Sequence, residues 1–148
     1  MTNLREYSDA TDRTRVIALR RDVCGYETAH NEPSLAIEKK LAAKDGLFFV
    51  AQSDGTVVGT AMAGYDGHRG WLHAVAVHAG HRRGGLGSRL VRHAERALSA
   101  AGCMKINLQV LSSNEATAAF HRSLGYGVEP RISTGRVLRE NVPSQDRV

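Results

Sequence analysis

The sequence has little of what several protein classes require. Only 5% of its 148 residues are aromatic, and the basic residues are scattered over predicted helices instead of lying between stacking rings, which disfavours a nucleic-acid-binding module. No apolar run approaches the roughly 18 residues that a membrane-spanning helix needs. The first residues are polar and contain no apolar signal core, so we expect a cytoplasmic protein.

Cysteine and metal-ligand clusters are scarce as well. Cys24 and Cys103 are far apart and form no CxxC motif, which favours a reducing compartment and excludes a disulfide framework. His78 and His81 are three residues apart, but no acidic or cysteine ligand set accompanies them. We interpret these histidines as surface residues and expect no metal site.

The composition that remains is typical of one soluble globular domain. Apolar residues make up 42% of the chain and charged residues 24%, which are ordinary fractions. We expect residues 1–140 to form a single domain and residues 141–148 to be a frayed tail. The formal net charge of +5 would attract nucleic acid, an acidic protein or a phosphorylated cofactor without choosing among them.

Apolar periodicity predicts alternating strands and helices. Helices are predicted at 9–23, 31–46, 85–101 and 114–125, with Asp9 or Thr11 as the cap of the first. Strands are predicted at 4–8, 47–52, 56–65, 71–77, 104–111 and 131–140. Because a meander of strands precedes a strand–helix–strand–helix–strand unit, we expect a mixed α/β sheet and not a purely doubly wound one.

A glycine-rich junction follows the strand predicted at 71–77. The stretch VHAGHRRGGLGS, residues 77–88, places Arg82, Arg83 and several glycines just before a predicted helix. Bare backbone N–H groups at a helix N-terminus, together with arginines, suit a phosphate or a pyrophosphate. The same pattern also fits an ordinary solvated loop, and it is neither a P-loop nor a GxGxxG motif.

Two motifs resemble those of the GNAT superfamily of N-acyltransferases. Residues 77–87 are similar to its Arg/Gln-x-x-Gly-x-Gly/Ala signature, and NEATAAFHRSLGY, residues 114–126, is similar to its second motif. The stretch GYDGHRG, residues 64–70, resembles a hairpin in a group of small bacterial acetyltransferases. The resemblance covers about residues 47–130 and implies the GNAT fold: a mostly antiparallel central sheet with one splayed parallel pair and about four helices.

The resemblance also implies an activity. The expected reaction is transfer of an acetyl group from acetyl-CoA to a primary amine, by direct attack in a ternary complex, on an unidentified small-molecule or protein acceptor. The strand backbone of Val75, Ala76 and Val77 would pair with the pantetheine arm. The remaining residues expected to bind the cofactor are Arg82, Arg83, Gly84, Gly85, Leu86, Gly87, Ser88 and Asn114. A homodimer is an assembly common in this family.

Two departures from the family pattern concern the catalytic acid and base. His121 stands where the family has the Tyr that protonates the leaving thiolate; it is either that acid or a histidine packed beside Phe120. Gln109 stands where relatives that acetylate protein N-termini tend to have a Glu. Because an amide cannot ionise, that base is missing.

His73 is the other candidate for a catalytic base. Alternation along the strand predicted at 71–77 places Trp71, His73, Val75 and Val77 on one face, which would line the cleft. The alternative is a half-buried histidine that is hydrogen-bonded within the sheet. The carboxylates of the first helical region, which usually forms the acceptor side, stay unassigned; these are Glu27, Glu32 and Glu38.

The acceptor and the alternative functions stay open. The sequence DGHRG at 66–70 forms a turn, and its His68 and Arg69 could also bind a carboxylate on the acceptor. The basic surface disfavours polycationic acceptors. A non-catalytic acyl-CoA-binding sensor is the second function considered, because the usual Tyr and Glu are absent. A nucleic-acid-binding module is the third function considered, because of the net charge alone. We expect no membrane partner and no specific nucleic acid.

Overall fold

Five strands form one mixed sheet in the computed structural model, which describes residues 1–23 and 32–139. The strands are β1 (Thr2–Glu6), β2 (Phe48–Ser53), β3 (Thr56–Tyr65), β4 (Gly70–Val77) and β5 (Ile106–Leu108). They lie in the order β1-β2-β3-β4-β5. Neighbouring strands are antiparallel except β4 and β5, which are parallel. The expected mixed sheet with one parallel pair is confirmed.

Four α-helices and one short 3-10 helix accompany the sheet in the described part of the chain. The α-helices are α1 (Asp9–Val23), α2 (Pro33–Ala43), α3 (Leu86–Ala100) and α4 (Glu115–Ser123). The 3-10 helix (Ala79–Gly84) connects β4 to α3, where a glycine-rich loop was expected. Helix α2 ends earlier than predicted, because Lys44 adopts a left-handed conformation with φ 51 and caps it. None of these helices combines the length and apolar character needed to cross a membrane.

The sheet separates two apolar regions. Along β2, Phe48 and Val50 point toward α1 and α2, whereas Phe49 and Ala51 point toward α3, as alternation in a strand requires. The cluster on the α1/α2 side contains Tyr7, Val16, Ile37, Phe48, Val50, Val57 and Met62. The α3/α4 side is formed mainly by Leu72, Leu86, Leu90, Val91, Ala94 and Leu98, with Phe120 and Leu124 packed against them. The fold therefore has three layers, with one pair of helices on each face.

The C-terminal segment differs from its prediction. The strand predicted at 131–140 is wrong over its described part, since residues 131–139 form no strand, and β5 is shorter than the predicted 104–111. Side chains hold the segment to β5 instead: Lys105 Nζ lies 2.5 Å from Glu129 Oε2, and Gln109 Nε2 donates to Ser133 Oγ at 2.6 Å. Pro130 has no N–H to donate to a strand ladder, which disfavours regular pairing here.

Several predictions fall outside the residues that the structure describes. These are the frayed tail at 141–148, the role of Glu27 and the state of Cys24.

An ion pair fixes the start of α1 against β1. Asp12 is only 1% exposed, and its two carboxylate oxygens accept hydrogen bonds from Arg5 at 2.7 and 2.9 Å. The backbone N–H of Ser8 also donates to Asp12, at 2.8 Å. This contact replaces the cap that was expected from Asp9 or Thr11. The hydrogen bond from Arg5 is the main cause that lowers the pKa of Asp12, with burial acting in the opposite direction.

We predict that Asp12→Ala lowers the free energy of unfolding by about 2–3 kcal/mol at pH 7, because it leaves the partly buried Arg5 without its partner. Urea denaturation measures this. Asp22→Ala, an exposed position on the same helix, should change stability by less than about 0.5 kcal/mol. Because the pKa of Asp12 is lowered on folding, its contribution is present above the unfolded value of about 3.9 and is lost as the pH falls further. Equal losses in the two variants would contradict this account.

Candidate active site

Strand β4 contains an extra residue at its centre. His73 lies opposite Met62 of β3, but Ala76 lies opposite Thr60, so three steps along β4 match two along β3. Ala74 has a left-handed φ of 55, which is uncommon for a residue other than glycine. These two features define a β-bulge, which bends the strand that carries it.

The bulge changes which side chains share a face. Ala74 packs against the cluster on the α1/α2 side, whereas Val75 and Val77 pack on the α3 side. The prediction that Trp71, His73, Val75 and Val77 lie on one face is therefore wrong. Regular alternation could not reveal this, because one inserted residue reverses every later position.

Beyond the bulge, β4 and β5 separate. The two strands pair only from Gly70 to Leu72 of β4, whereas β4 stays paired with β3 as far as Val77. Within the described residues, no strand pairs with the β5-facing edge of residues 75–77. The result is an opening between β4 and β5, which we call the β4/β5 gap. One edge of the gap is the backbone of Val75, Ala76 and Val77.

The N-terminus of α3 lies beside the end of β4. A Cβ atom built on Gly87 would be 3.8 Å from the side chain of Val77. Gly85 is the N-cap of α3, with φ 74 and no side-chain hydrogen bond to the helix, whereas α2 and α4 are capped by Glu32 and Asn114. An uncapped helix N-terminus offers backbone N–H groups and a partial positive charge, which favour an anion.

Positive charge surrounds this helix terminus. His81, Arg82 and Arg83 lie in the 3-10 helix, and neither that helix nor the first turn of α3 contains an acidic residue. Arg82 Nε donates to the carbonyl of Val77 at 3.1 Å, so its side chain folds back onto the end of β4. The structure thus brings Arg82 and Gly87 next to Val77.

The two imidazoles of this segment lie close together. The rings of His78 and His81 are 5.7 Å apart, and His78 Nδ1 accepts a hydrogen bond from the N–H of Gly80 at 3.1 Å. Among the described residues, no three His, Cys, Asp or Glu side chains are grouped so as to hold a metal ion.

His73 faces the α1/α2 side of the sheet. Its side chain is exposed, yet desolvation by the surrounding protein lowers its pKa. The positive charges of Lys40 and Arg20 lower that pKa further, and the negative charge of Asp45 opposes them. The imidazole is therefore neutral at pH 7 and can accept a proton.

His121 lies on the other side of the sheet, on α4. It is 7% exposed, and its ring packs edge-on against Phe120 and Tyr126 at centroid distances of 5.0 and 5.8 Å. Its Nδ1 is buried and has no hydrogen-bond partner among the described residues, and desolvation lowers its pKa. His73 lies on the α1/α2 face of the sheet and His121 on the α3/α4 face, so the two candidate catalytic histidines are not adjacent.

Other candidate polar residues have structural partners. Asn114 Oδ1 accepts the backbone N–H of Thr117 at 3.1 Å and caps α4. The carboxylate of Glu32 accepts two backbone N–H groups at the start of α2. Glu38 lies 3.6 Å from Arg13 on the surface. Neither described carboxylate of the first helical region therefore takes the place of the missing base.

Sequence reasoning missed a polar group on β5. Asn107 lies opposite Trp71 in the parallel register. Its Nδ2 donates to Glu129 Oε1 at 2.6 Å, while its Oδ1 is buried without a partner in the described structure. No sequence signal indicated this group, because the contact depends on the register of β5 and on the path of the chain after α4.

A broad concavity of about 870 Å³ lies elsewhere, next to β1 and the start of α1. Its lining includes Arg5, Asp12 and Arg15. Arg5 and Asp12 bind each other, and Arg15 donates to the carbonyl of Val57 at 3.2 Å. Since these polar groups are satisfied within the fold, we place the candidate active site at the β4/β5 gap.

Comparison with known proteins identifies the relatives of this chain. The family model described as the acetyltransferase (GNAT) family matches residues 13–126. An acetyltransferase of Yersinia pestis is 39% identical over 108 residues, which cover 73% of this chain and 77% of the relative. Two solved structures have the same fold. An aminoglycoside N-acetyltransferase in complex with CoA is 20% identical, with a TM-score of 0.75 over 94% of this chain and 96% of that one. The PaiA N-acetyltransferase of Thermoplasma acidophilum, in complex with coenzyme A, is 17% identical, with a TM-score of 0.77 over 89% of this chain and 93% of that one.

The bulge leads to a prediction about stability. Ala74→Gly should keep the free energy of unfolding or raise it by up to about 1 kcal/mol, because glycine adopts a left-handed φ without strain. Ala74→Val should lower it by about 2 kcal/mol, because a β-branched side chain is strained in that conformation. Thermal denaturation of the two variants beside the wild type measures both effects. A valine variant as stable as the wild type would show that β4 has no left-handed residue at this position.

Proposed function

The chain belongs to the GNAT family of acetyltransferases, and we propose that it transfers the acetyl group of acetyl-CoA to a primary amine by direct attack in a ternary complex. The observation that carries this proposal is the uncapped N-terminus of α3 beside the β4/β5 gap. This combination offers an anion site and an open strand edge to a single extended ligand.

The described residues fit the two parts of such a cofactor. Residues 84–88 offer backbone N–H groups and a positive field to a pyrophosphate, and Arg83 adds charge next to them. The free strand edge at Val75–Val77 offers backbone groups to the amide-containing pantetheine arm, in the manner of an added strand. Asn114 contributes through its position at the N-terminus of α4, although its Oδ1 already caps that helix.

His73 is the proposed base. The attacking amine must lose a proton, and an imidazole whose pKa is lowered is neutral and ready to accept one. Because His73 faces the α1/α2 side while α3 lies on the opposite side, the acceptor and the cofactor would approach the gap from opposite faces. Backbone N–H groups at residues 75–77 would stabilise the carbonyl oxygen as negative charge develops on it.

His121 is the proposed hydrogen-bond donor to the leaving sulfur. Its lowered pKa means that the imidazolium form is scarce at pH 7, so it cannot act as a strong acid. A thiol with a pKa of about 8.5 leaves without full protonation. A hydrogen bond from neutral His121 would therefore contribute only about 1 kcal/mol, or less than tenfold in rate.

Gly84 gives a direct test of the anion site. A Cβ at Gly84 meets no atom within 4 Å, and φ there is not in the left-handed range, so a side chain can be added without strain. Gly84→Glu should weaken acetyl-CoA binding by about tenfold or more, because it places a negative charge beside the pyrophosphate. Gly84→Gln is the matched neutral control and should change the affinity by less than about threefold. Isothermal titration calorimetry measures both, and equal affinities for the two variants would overturn the placement of the pyrophosphate.

The pH dependence of turnover tests the base. The pKa of His73 is lowered, so kcat/KM should be constant near pH 7 and should fall only as the pH drops below about 6.5. His73→Gln should lower kcat by about a hundredfold or more and remove the fall of kcat/KM at acidic pH, which is the acidic limb of the profile. His121→Phe should lower kcat by less than about tenfold and keep the acidic limb.

His68→Gln is the control, since His68 is exposed in the turn before β4 and its loss should not affect kcat. An unchanged acidic limb in His73→Gln would rule out His73 as the base. Tight acetyl-CoA binding without turnover of any amine would favour the acyl-CoA-binding sensor over the enzyme.

A further inference from the structure

A row of side chains extends from His73 along the α1/α2 face of β4. Leu72 packs on the α3 side, so its neighbours Trp71 and His73 point to the opposite face. Arg69 is the last residue before β4. A Cβ atom built on Gly70 would lie against Leu98 on the α3 side, so alternation carried back by one residue places Arg69 on the opposite face, in this row. Across the row lies β5, where Asn107 is opposite Trp71. The row thus consists of Arg69, Trp71 and His73, with the indole of Trp71 in the middle and His73 at the end nearest the β4/β5 gap.

Arg69 is the basic group of this row that has no partner. Its side chain is partly buried, and within residues 1–23 and 32–139 its guanidinium forms no hydrogen bond or ion pair. Its neighbours are already engaged. Asp66 accepts the backbone N–H groups of His68 and Arg69 at 2.8 Å each, and Lys105 is paired with Glu129. A partly desolvated guanidinium without a partner favours an anion.

The charges around His73 also disfavour a cationic acceptor. Lys40 and Arg20 are close enough to lower the pKa of His73, and Asp45 is the one acidic group described as opposing them. Asp45 is bound to Lys40 at 2.7 Å. Lys40 and Arg20 both disfavour a positive charge at His73, which favours an acceptor with a negative group over one with several positive charges.

We propose that the natural acceptor is an amine that also carries a carboxylate, and that Arg69 binds this carboxylate while the amine is presented at His73. The inference rests on the proposed acetyl transfer and adds the chemical class of the acceptor. A carboxylate fits better than a phosphate, because one unpartnered guanidinium balances one negative charge and the nearby Lys105 already pairs with Glu129. The guanidinium would bind the carboxylate by charge-assisted hydrogen bonds.

The distance between Arg69 and His73 sets the distance between the carboxylate and the amine of the acceptor. Arg69 and His73 are four positions apart, so their Cα atoms would be about 13 Å apart along an extended strand. An arginine side chain that leans toward Trp71 shortens the span, so the amine and the carboxylate should be separated by several methylene groups or by a short peptide. Simple α-amino acids are too short to reach both residues.

The experiment compares matched acceptors and reads out both binding and turnover. The probes are β-alanine, aminohexanoate and aminooctanoate, each tested beside its primary carboxamide, with a diamine as the cationic probe. Trp71 is the single tryptophan of the chain, so its fluorescence reports binding to the row without any chemistry. Turnover is followed as release of free CoA from acetyl-CoA.

For the wild type, we expect kcat/KM for the longer aminocarboxylates to exceed that for their carboxamides by about tenfold to a hundredfold. Arg69→Gln should remove this preference by lowering kcat/KM for the aminocarboxylates to about that for their carboxamides, and Arg69→Glu should favour the diamine. Arg122→Gln, which removes the same charge from an exposed position on α4, should keep the wild-type preference.

The outcomes separate the two proposals. If carboxamides or the diamine are acetylated as well as the aminocarboxylates, carboxylate recognition is overturned while acetyl transfer stands. If the fluorescence of Trp71 shows a carboxylate preference that Arg69→Gln removes, but no probe is acetylated, recognition stands and the proposed activity on these amines fails. If Arg69→Gln and Arg122→Gln lose the carboxylate preference equally, that preference depends on the overall charge of the protein, and Arg69 does not bind the carboxylate.

Discussion

Strand β4 pairs with β5 for three residues and then leaves it, and Ala74 lies where the change occurs. Its left-handed backbone inserts one residue into the ladder with β3, which bends the strand. The open edge at Val75–Val77 and the reversed facing of His73 and Val75 both follow from that single insertion.

The charges of the molecule are arranged around this gap. On the α3 side, the uncapped helix terminus and the arginines of the 3-10 helix favour a polyanionic cofactor. On the α1/α2 side, Lys40 and Arg20 lie near the His73 end of the row, and Arg69, which has no side-chain partner among the described residues, is at its other end. This arrangement favours an anionic cofactor and an acceptor with a negative group. Desolvation is the main cause that lowers the pKa of His73, and the positive charges of Lys40 and Arg20 add to it.

The parts of the fold that could be predicted from sequence are those set by local patterns. The range of α1, the hairpin of β2 and β3 and the glycine-rich start of α3 follow from periodicity and from turn residues. The bulge could not be predicted, because alanine gives no signal for a left-handed conformation where glycine or asparagine would. The strand expected at 131–140 failed because side-chain contacts of Glu129 and Ser133 hold the segment where pattern alone indicated backbone pairing. The residues around His73 were missed because they come from three separate elements.

The central claim is that acetyl-CoA binds at the β4/β5 gap with its pyrophosphate at the N-terminus of α3. Hydrogen exchange of the backbone amides, with and without acetyl-CoA, tests it most directly, since it reports where the ligand protects the chain. The account predicts new protection at Val75–Val77 and at Leu86–Ser88, with little change along β1. Protection confined to the concavity next to Arg5 and Arg15, or none at residues 86–88, would contradict it.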